Sequence, residues 1–263
     1  MKEMKVCLEA AAAGAKVIQS YHGKTFNIRH KGATNLVTEV DEKAQKAIVK
    51  VIQKYFKEDS ILAEEGDLST TRAASRRWIV DPLDGTTNFA HGYPKICVSI
   101  AFEQEENIMC GVVHDPNLKE VFHAEIKKGA FVNKKRIHVS QIKNLNQSLL
   151  VTGFPYDLEN PDYENVPYFV HFLKQAQALR RDGSAALNLA YVAAGRFDGL
   201  WELSLKPWDY SAGVLLIREA GGITTHMSGR EIRADDHALL CANPFIYQQI
   251  LEQIRKVPIS SRL

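Results

Sequence analysis

The segment most informative about fold and chemistry runs from residue 78 to residue 88 and reads Trp-Ile-Val-Asp-Pro-Leu-Asp-Gly-Thr-Thr-Asn. Its three apolar residues predict a short buried strand. Because Pro82 has no N–H to donate, we expect strand pairing to stop at Asp81-Pro82. Gly85 can adopt backbone angles closed to other residues, and the polar residues after it suit a helix start. The segment therefore predicts a turn that aims Asp81 and Asp84 at one point.

Two carboxylates beside the free N–H groups of a helix start favour a cation between them and a bound anion. Hard cations such as Mg²⁺ prefer oxygen ligands, so the pattern indicates a site for a metal-bound phosphate. The alternative is a turn in which the Asp and Asn side chains act only as caps. That interpretation is favoured for any single residue, but not for the whole constellation.

The spacing of the two acids bears on mechanism. Asp-x-x-Asp-x-Thr invites comparison with the Asp-x-Asp-x-Thr of phosphatases that form an aspartyl-phosphate. Here the acids are three residues apart rather than two, which would misplace Asp84 as an acid/base partner for Asp81. The chain also contains no Cys-x₅-Arg motif. The sequence therefore favours direct attack by a water that Mg²⁺ activates over a covalent phosphoenzyme.

The rest of the sequence shows two successive kinds of predicted secondary structure. Amphipathic helices are predicted from about Glu3 to Ser20 and from about Thr38 to Phe56, followed by a strand over Ile61–Ala63 that delivers Glu64. Alternation with turns between Ile96 and Val139 predicts an antiparallel meander. From about Ser148 onward strand candidates (149–151, 199–201, 239–241) alternate with helix patterns (185–194, 209–220, 245–255), which suggests α/β units.

A second chemical segment is Pro207-Trp208-Asp209-Tyr210-Ser211-Ala212-Gly213, which leads into an apolar helix that ends at Gly221-Gly222. Asp209 falls in the first turn of this helix. Taken alone, such an acid is more often a helix N-terminal residue than a metal ligand. The interpretation of Asp209 as a metal ligand gains support from the other candidate acids of the chain.

Five segments together resemble the inositol monophosphatase family. The residues 81–94 (Asp-Pro-Leu-Asp-Gly-Thr-Thr-Asn-Phe-Ala-His-Gly-Tyr-Pro) and 208–222 look like the two family signatures. The segments 36–41, 63–66 and 183–202 also resemble family segments in the expected order. The resemblance covers essentially the whole chain. It implies a layered αβαβα sandwich with an N-terminal α+β half (1–145) that carries an antiparallel sheet and a C-terminal α/β half (146–263).

The resemblance also implies roles for residues at matching positions. Mg²⁺ would be held, in a site of two or three ions, by Glu64, Asp81, Asp84, Asp209 and the Leu83 carbonyl. Gly85 and Thr86 look like the phosphate-binding backbone, and Ala185, Glu202 and Asp209 resemble the positions that contact substrate hydroxyls, with Asp84 also near the phosphate. Glu64 and Thr86 would orient the attacking water, and Asp41 would hydrogen-bond Thr86. From spacing alone, it is about equally plausible that Asp41 merely completes a capping box with Thr38.

The expected mechanism is in-line attack on phosphorus by a water that one Mg²⁺ activates and that Glu64 and Thr86 hold. A second ion between the three aspartates would stabilise the leaving alkoxide. The favoured substrate is inositol 1-phosphate. Fructose 1,6-bisphosphate, histidinol phosphate and a 3′-phosphoadenosine nucleotide stay open, because Arg180 or Arg181 could meet a second phosphate or could form a subunit contact. A regulatory or RNA-machinery-binding protein on the same fold is the alternative of another class.

Composition narrows the partners further. The net charge of +2 and the short basic runs do not indicate nucleic acid as the main partner. The four cysteines lie far apart without zinc spacing and are interpreted as reduced, buried thiols of a cytoplasmic protein. No stretch approaches the roughly 18 apolar residues that a membrane span needs. A homodimer and sensitivity to lithium are expected from the family resemblance alone.

Overall fold

The structure, a computed structural model, describes residues 1–30, 36–66, 75–155, 164–233 and 236–258. Within these ranges the chain forms five layers in the order helices, sheet, helices, sheet, helices. The αβαβα sandwich that the family resemblance implied is therefore confirmed. No helix in the described part of the chain is long and apolar enough to cross a membrane.

The first layer consists of two helices, α1 (Lys2–Ser20) and α2 (Glu39–Tyr55). Both agree with the predicted spans to within one residue. Their buried residues recur at the spacing of one helix face, as Val40, Ala44, Ile48 and Ile52 do in α2. This face packs on the first sheet. A small antiparallel ribbon of β1 (Ile28–His30) and β2 (Leu36–Thr38) precedes α2.

The first sheet has seven strands in sequential order. The strands are β3 (Ser60–Ala63), β4 (Arg76–Asp84), β5 (Cys97–Gln104), β6 (Asn107–Asp115), β7 (Glu120–Glu125), β8 (Gly129–Val132) and β9 (Lys135–Ile137). β3 and β4 run parallel, and each later neighbour is antiparallel. The meander predicted between Ile96 and Val139 is confirmed. A short helix, α3 (Thr86–Ala90), follows β4.

The prediction that pairing stops at Asp81-Pro82 is wrong. Asp81 pairs with Ser99 and Asp84 pairs with Cys97, so the register shifts between the two pairs. Three steps on β4 thus match two on β5, which is a β-bulge. The bulge contains Pro82, so its missing N–H costs the ladder no hydrogen bond. The strand therefore continues until it delivers Asp84.

The second sheet is mixed, with the order β11-β10-β12-β14-β13. Its strands are β10 (Leu149–Thr152), β11 (Ala178–Arg180), β12 (Gly199–Leu203), β13 (Ile223–His226) and β14 (Ala238–Ala242). β10 is parallel to β11 and β12, whereas β14 is antiparallel to β12 and β13. The alternating helix and strand pattern after Ser148 is confirmed. The two short strands β11 and β13 were not predicted.

Two helices, α5 (Ala185–Ala193) and α6 (Pro207–Glu219), lie between the sheets, and α4 (Val166–Leu173) and α7 (Tyr247–Ile254) pack on the outer face of the second sheet. One continuous core cluster joins Phe122 of the first sheet, Leu189 and Leu216 of the middle helices, and Leu239 of the second sheet. Both predicted halves contribute residues to this core. The division of the chain between residues 145 and 146 therefore stays a prediction.

Candidate active site

A cavity of about 370 Å³ opens where the two sheets and the middle helices meet. It lies at the C-terminal ends of β3, β4 and β12 and at the N-terminal ends of α3, α5 and α6. Every metal and substrate residue predicted from the sequence lines this cavity: Glu64, Asp81, Leu83, Asp84, Gly85, Thr86, Ala185, Glu202 and Asp209. Segments up to 145 residues apart in sequence are therefore brought to one place, since Glu64 and Asp209 bound the same space.

The turn after β4 depends on Gly85. This residue has a φ of +92°, in the left-handed region that favours glycine, and it is the residue immediately before α3. A Cβ at Gly85 would lie 2.8 Å from the Lys95 carbonyl oxygen, so both conformation and space exclude a side chain. Within the turn, Asp81 Oδ1 accepts a hydrogen bond of 3.0 Å from the Leu83 N–H. The turn thus fixes Asp81 and turns the chain into α3.

Asp84 is held by the start of α5. Its Oδ2 accepts hydrogen bonds from Ser184 Oγ at 2.6 Å and from the Ala186 N–H at 2.8 Å. Backbone N–H groups in the first turn of a helix have no partner within the helix, and the helix dipole favours a negative charge there. Asp84 therefore joins β4 to the middle helix layer. Ser184 was not predicted as a site residue, although a polar residue before a helix is a recognisable capping signal.

Asp209 is held in the same way by the helix that carries it. Its Oδ2 accepts a hydrogen bond of 2.6 Å from the Lys206 N–H, just before α6 begins. The interpretation of Asp209 as a helix N-terminal acid is thus correct for one oxygen. At the same time, Asp209 lines the cavity, so the second interpretation as a site residue does not compete with the first.

Asp41 likewise satisfies both sequence interpretations. Its Oδ2 accepts from the Thr38 N–H at 2.8 Å and from Thr38 Oγ1 at 2.5 Å, which forms the capping box of α2. Its Oδ1 accepts a hydrogen bond of 2.9 Å from Thr86 Oγ1. The Thr86 hydroxyl also lies 3.2 Å from the Leu83 carbonyl oxygen. Because Asp41 is fully buried, it orients Thr86 from behind the cavity wall and does not line the cavity itself.

The cavity aspartates therefore share a design. Asp81, Asp84 and Asp209 each use one carboxylate oxygen to bind backbone N–H groups at a turn or helix start. Local structure thus fixes each carboxylate at the wall of the cavity.

The charges of these acids oppose one another. Burial, and after it the charges of Glu64, Asp84 and Asp209, raises the pKa of Asp81 well above its ordinary value. Burial and then the charge of Asp84 raise the pKa of Asp209 well above its ordinary value, and burial raises the pKa of Asp84 as well. Like charges this close disfavour ionisation of one another. The cluster is thus electrostatically incomplete without a cation.

Glu202 occupies the part of the cavity wall formed by β12. Burial, and then the charge of Asp84, raises the pKa of Glu202 to about 8, whereas Arg181 acts in the opposite direction. Its Oε2 is buried and has no hydrogen-bond partner in the part of the chain that the structure describes. A Cβ at Gly153 would lie 1.7 Å from Glu202 Oε1, so only glycine leaves room for the carboxylate. Gly153 was not predicted, because close approach of a distant side chain leaves no local sequence signal.

The residues present fit a Mg²⁺ ion that the protein would bind together with a substrate phosphate, rather than one that protein side chains would enclose by themselves. Among the described residues, no three His, Cys, Asp or Glu side chains are grouped so that they would hold a metal ion by themselves. Mg²⁺ usually keeps several waters and is bound by one or two carboxylates together with substrate phosphates. Carboxylates spread around one cavity match that mode of binding.

The structure distinguishes the two arginines, Arg180 and Arg181, that left the choice of substrate open in the sequence. Arg181 lines the cavity. Arg180, at the end of β11, is exposed outside the cavity, and its Nη1 donates to the Leu179 carbonyl oxygen at 2.8 Å. Gly153, Phe154 and Pro155 also line the cavity, and residues 156–163 after them lie outside the described residues.

Comparison with known proteins connects this geometry to a family. A model described as the inositol monophosphatase family matches residues 1–258. The chain is 39% identical to an inositol-1-monophosphatase of Synechocystis, with 97% of this chain and 89% of the relative covered. It is 37% identical to a fructose-1,6-bisphosphatase/inositol-1-monophosphatase of Thermotoga maritima, with 92% and 91% covered.

Two further similarities extend this result. A Nus factor SuhB of Pseudomonas aeruginosa is 37% identical, with 96% of this chain and 95% of the relative covered. The solved structure of an inositol monophosphatase from Anabaena superposes with a TM-score of 0.90 at 38% identity, with 98% of this chain and 97% of that chain covered. The fold is therefore shared with the solved structure, and the sequence similarity extends over most of the length of each relative.

Proposed function

The chain belongs to the inositol monophosphatase family, and on that premise we propose that it is a Mg²⁺-dependent phosphatase that hydrolyses inositol 1-phosphate. The observation that carries the proposal is the cavity in which Glu64, Asp81, Asp84 and Asp209 meet beside the turn into α3. Burial and then the charges of neighbouring acids raise the pKa values of Asp81 and Asp209, and such a cluster is unfavourable unless a cation joins it. A phosphate with Mg²⁺ supplies both the cation and the anion that this arrangement accepts.

The residues of the chain divide the work of the reaction. Asp81, Asp84, Asp209, Glu64 and the Leu83 carbonyl would hold Mg²⁺. When bound, the metal neutralises phosphate charge and lowers the pKa of an attacking water. Gly85 and Thr86 would bind the phosphate at the turn into α3. Phosphoryl transfer depends mainly on positioning and charge neutralisation, so few other groups are required.

The proton path involves Glu64 and Thr86. Asp41 accepts the Thr86 hydroxyl hydrogen, so the lone pairs of Thr86 Oγ1 can accept a hydrogen from the attacking water. Glu64 would accept the other hydrogen of that water and aim its oxygen at phosphorus. Asp41 acts through Thr86 and is a positioning residue.

The alcohol end of the substrate would be read by Glu202, Ala185 and Asp209. The buried Glu202 Oε2 has no hydrogen-bond partner among the described residues, and a polyol hydroxyl would supply one. This is the feature that favours a polyol or sugar phosphate over an aromatic one. Fructose 1,6-bisphosphate, histidinol phosphate and a 3′-phosphoadenosine nucleotide are the alternative substrates of the same class.

The test is phosphate release from inositol 1-phosphate and these three alternatives, each assayed with Mg²⁺ and with EDTA. We expect release from inositol 1-phosphate that Mg²⁺ supports and EDTA abolishes. Stronger Mg²⁺-dependent release from another compound of the panel would keep the class and change the substrate. Release that is unaffected by EDTA, or none from any ester, would overturn the proposal.

A role in transcription is the second candidate, favoured by the 37% identity to a protein named Nus factor SuhB. This role does not require turnover. Purification of the tagged protein from its own cells, with and without RNase, tests it. Stoichiometric recovery of a protein or RNA partner would support the role, and recovery of the chain alone would contradict it.

We further propose that the protein acts in the cytoplasm as a homodimer that lithium inhibits, as the family resemblance implies. Light scattering at assay concentration measures the oligomeric state. Titration of the Mg²⁺-dependent activity with Li⁺, with K⁺ as the control at equal ionic strength, measures the inhibition.

A further inference from the structure

A second cavity, of about 200 Å³, lies beside α6 on the face of that helix away from the active site. The α6 residues that line it recur every three or four positions, which places them on one face of the helix: Pro207, Ser211, Val214 and Arg218. Asp209, which lines the active-site cavity, lies about half a turn away from that face. Among the described residues, none lines both cavities. A ligand in the second cavity would therefore leave the active site open.

The wall of the second cavity is largely apolar. Ile79 of β4 and Leu215 of α6 are buried behind it. Three further isoleucines are only partly buried and line the same space: Ile108 of β6, Ile126 just after β7 and Ile232 between β13 and β14. Ligand sites are typically concave and apolar, with a few polar groups that fix orientation. The surface that these isoleucines leave exposed is thus suited to the apolar part of a small ligand.

Three of the charged residues that line the second cavity already have partners. Arg77 and Glu103 form an ion pair of 2.8 Å. The two carboxylate oxygens of Glu219 accept hydrogen bonds of 2.7 Å from the Lys127 and Gly129 N–H groups. These three side chains are therefore bound within the chain, and a ligand would have to bind to other charged groups.

Two other arginines of the lining keep donors for a ligand. Arg218 Nε donates to Thr224 Oγ1 at 2.8 Å, which anchors the guanidinium, while its two terminal nitrogens have no hydrogen-bond partner in the described ranges. The exposed Arg233 side chain forms no hydrogen bond or ion pair with any described residue. One lining acid, the exposed Glu106, likewise has no partner in the part of the chain that the structure describes. Two unpaired cations thus face one unpaired acid, and this balance favours an anionic ligand.

We propose that the second cavity is a binding site for a small organic acid, whose apolar body contacts the three isoleucines and whose carboxylate is bound by Arg218 and Arg233. A guanidinium is planar and presents paired donors that match the two oxygens of a carboxylate. The volume is below the roughly 300–1,000 Å³ of sites for drug-sized ligands. The ligand is therefore an acid with a single ring or a short branched chain. The site is independent of the proposed hydrolysis, because the two cavities share no described residue.

The test compares phenylacetate with phenylacetamide, a neutral molecule of the same shape, by NMR titration of the full chain. We expect phenylacetate to bind about 10-fold or more tightly, since hydrogen bonds between charged groups add to the shared apolar contact. Arg218→Gln and Arg233→Gln should each weaken phenylacetate binding and leave phenylacetamide binding unchanged, which also shows that the apolar wall is intact. Arg181→Gln is the matched control. It removes an arginine from the active-site cavity and should change neither affinity.

Four results would overturn this proposal. Failure of the wild type to bind phenylacetate would show that the cavity takes no acid of this size. Equal affinity for the two compounds would show that no cation binds the carboxylate. Loss of phenylacetate binding in Arg181→Gln, with binding kept in the other two variants, would place the acid in the active site. Equal losses for both compounds in Arg218→Gln and in Arg233→Gln would show that these arginines support the wall and do not bind the anion.

Discussion

Acidic side chains lie at both ends of β4, but the groups that bind them differ between the two ends. At the N-terminal end, Asp59 accepts hydrogen bonds from Arg76 Nε at 2.8 Å and from the buried Trp78 Nε1 at 2.9 Å, and Glu103 binds Arg77 at 2.8 Å. At the C-terminal end, Asp81 and Asp84 are held by backbone N–H groups and a serine. One end pairs each acid with a cation from the chain, whereas the other gathers acids around a cavity.

This difference separates structural acids from functional ones. A carboxylate that serves only stability is best placed beside a cation of its own chain, because burial of an unpaired charge is unfavourable. At the cavity, burial and then the charges of neighbouring acids raise the pKa values of Asp81 and Asp209 instead. The same strand thus contributes to stability at one end and holds a ligand-dependent cluster at the other.

The largest effect is expected from Asp84→Asn. Asn preserves an oxygen for Ser184 and the Ala186 N–H, but it removes a negative charge from the proposed metal site. We expect kcat for inositol 1-phosphate to fall by roughly 10³-fold or more, in the range seen when a key electrostatic group is lost, while circular dichroism shows an unchanged fold. Activity near that of the wild type would show that Asp84 is not a metal ligand.

The matched change at the other end of the strand is Asp59→Ala. It leaves the buried Trp78 Nε1 without its acceptor and removes the main partner of Arg76. We expect the free energy of unfolding to fall by about 1–3 kcal/mol, with kcat preserved well below the melting temperature. Denaturant unfolding and the phosphate assay measure the two quantities. A loss of activity in the folded variant would contradict the division between the two ends.

Glu202→Gln tests the electrostatic cost of the cavity through pH. The pKa of Glu202 is raised to about 8 in the folded protein, so between the ordinary carboxyl range and pH 8 the folded state holds a proton that the unfolded chain releases. Stability without metal must therefore fall as pH rises through this window. Gln cannot ionise, so the fall between pH 5 and pH 8 should be smaller by about 1–3 kcal/mol in EDTA. Equal pH dependence in both proteins, by denaturant unfolding, would contradict the raised pKa.

The smallest effect is expected from Gly153→Ala. The new Cβ would overlap Glu202 Oε1, so the flexible Glu202 side chain must move away from its place in the cavity. We expect KM for inositol 1-phosphate to rise by about 3- to 10-fold, equivalent to one lost hydrogen bond. KM for phenyl phosphate, which offers no hydroxyl to Glu202, serves as the control and should change less. A parallel rise for both esters would indicate a general distortion of the cavity.

Much of the fold could be predicted because its signals are local. The helical spacing of Val40, Ala44 and Ile48 predicts α2, and the alternation between Ile96 and Val139 predicts the meander, since periodicity reports which face is buried. The short strands β11 and β13 were missed. Three or four residues carry too little pattern, and such strands exist mainly because a neighbouring strand supplies their hydrogen bonds.

The end of β4 shows a different limit. The absence of an N–H on Pro82 predicts an end to pairing, but a bulge can accommodate that residue and continue the strand. Whether a bulge forms depends on the register in which β5 pairs with β4. Cys97 of β5, the partner of Asp84, lies 13 residues further along the chain. A local rule could not decide it.

By itself, the sequence determined which residues could carry the chemistry: the acids and the glycine around residues 81–86, and Asp209 at a helix start. These predictions rest on residue type and spacing, which act over a few residues. Only the tertiary structure decided that Arg181 rather than Arg180 lines the cavity, that Gly153 makes room for Glu202, and that Asp41 both caps α2 and holds Thr86. The physical reason is that charge, burial and close packing act through space, between segments whose distance the order of residues does not specify.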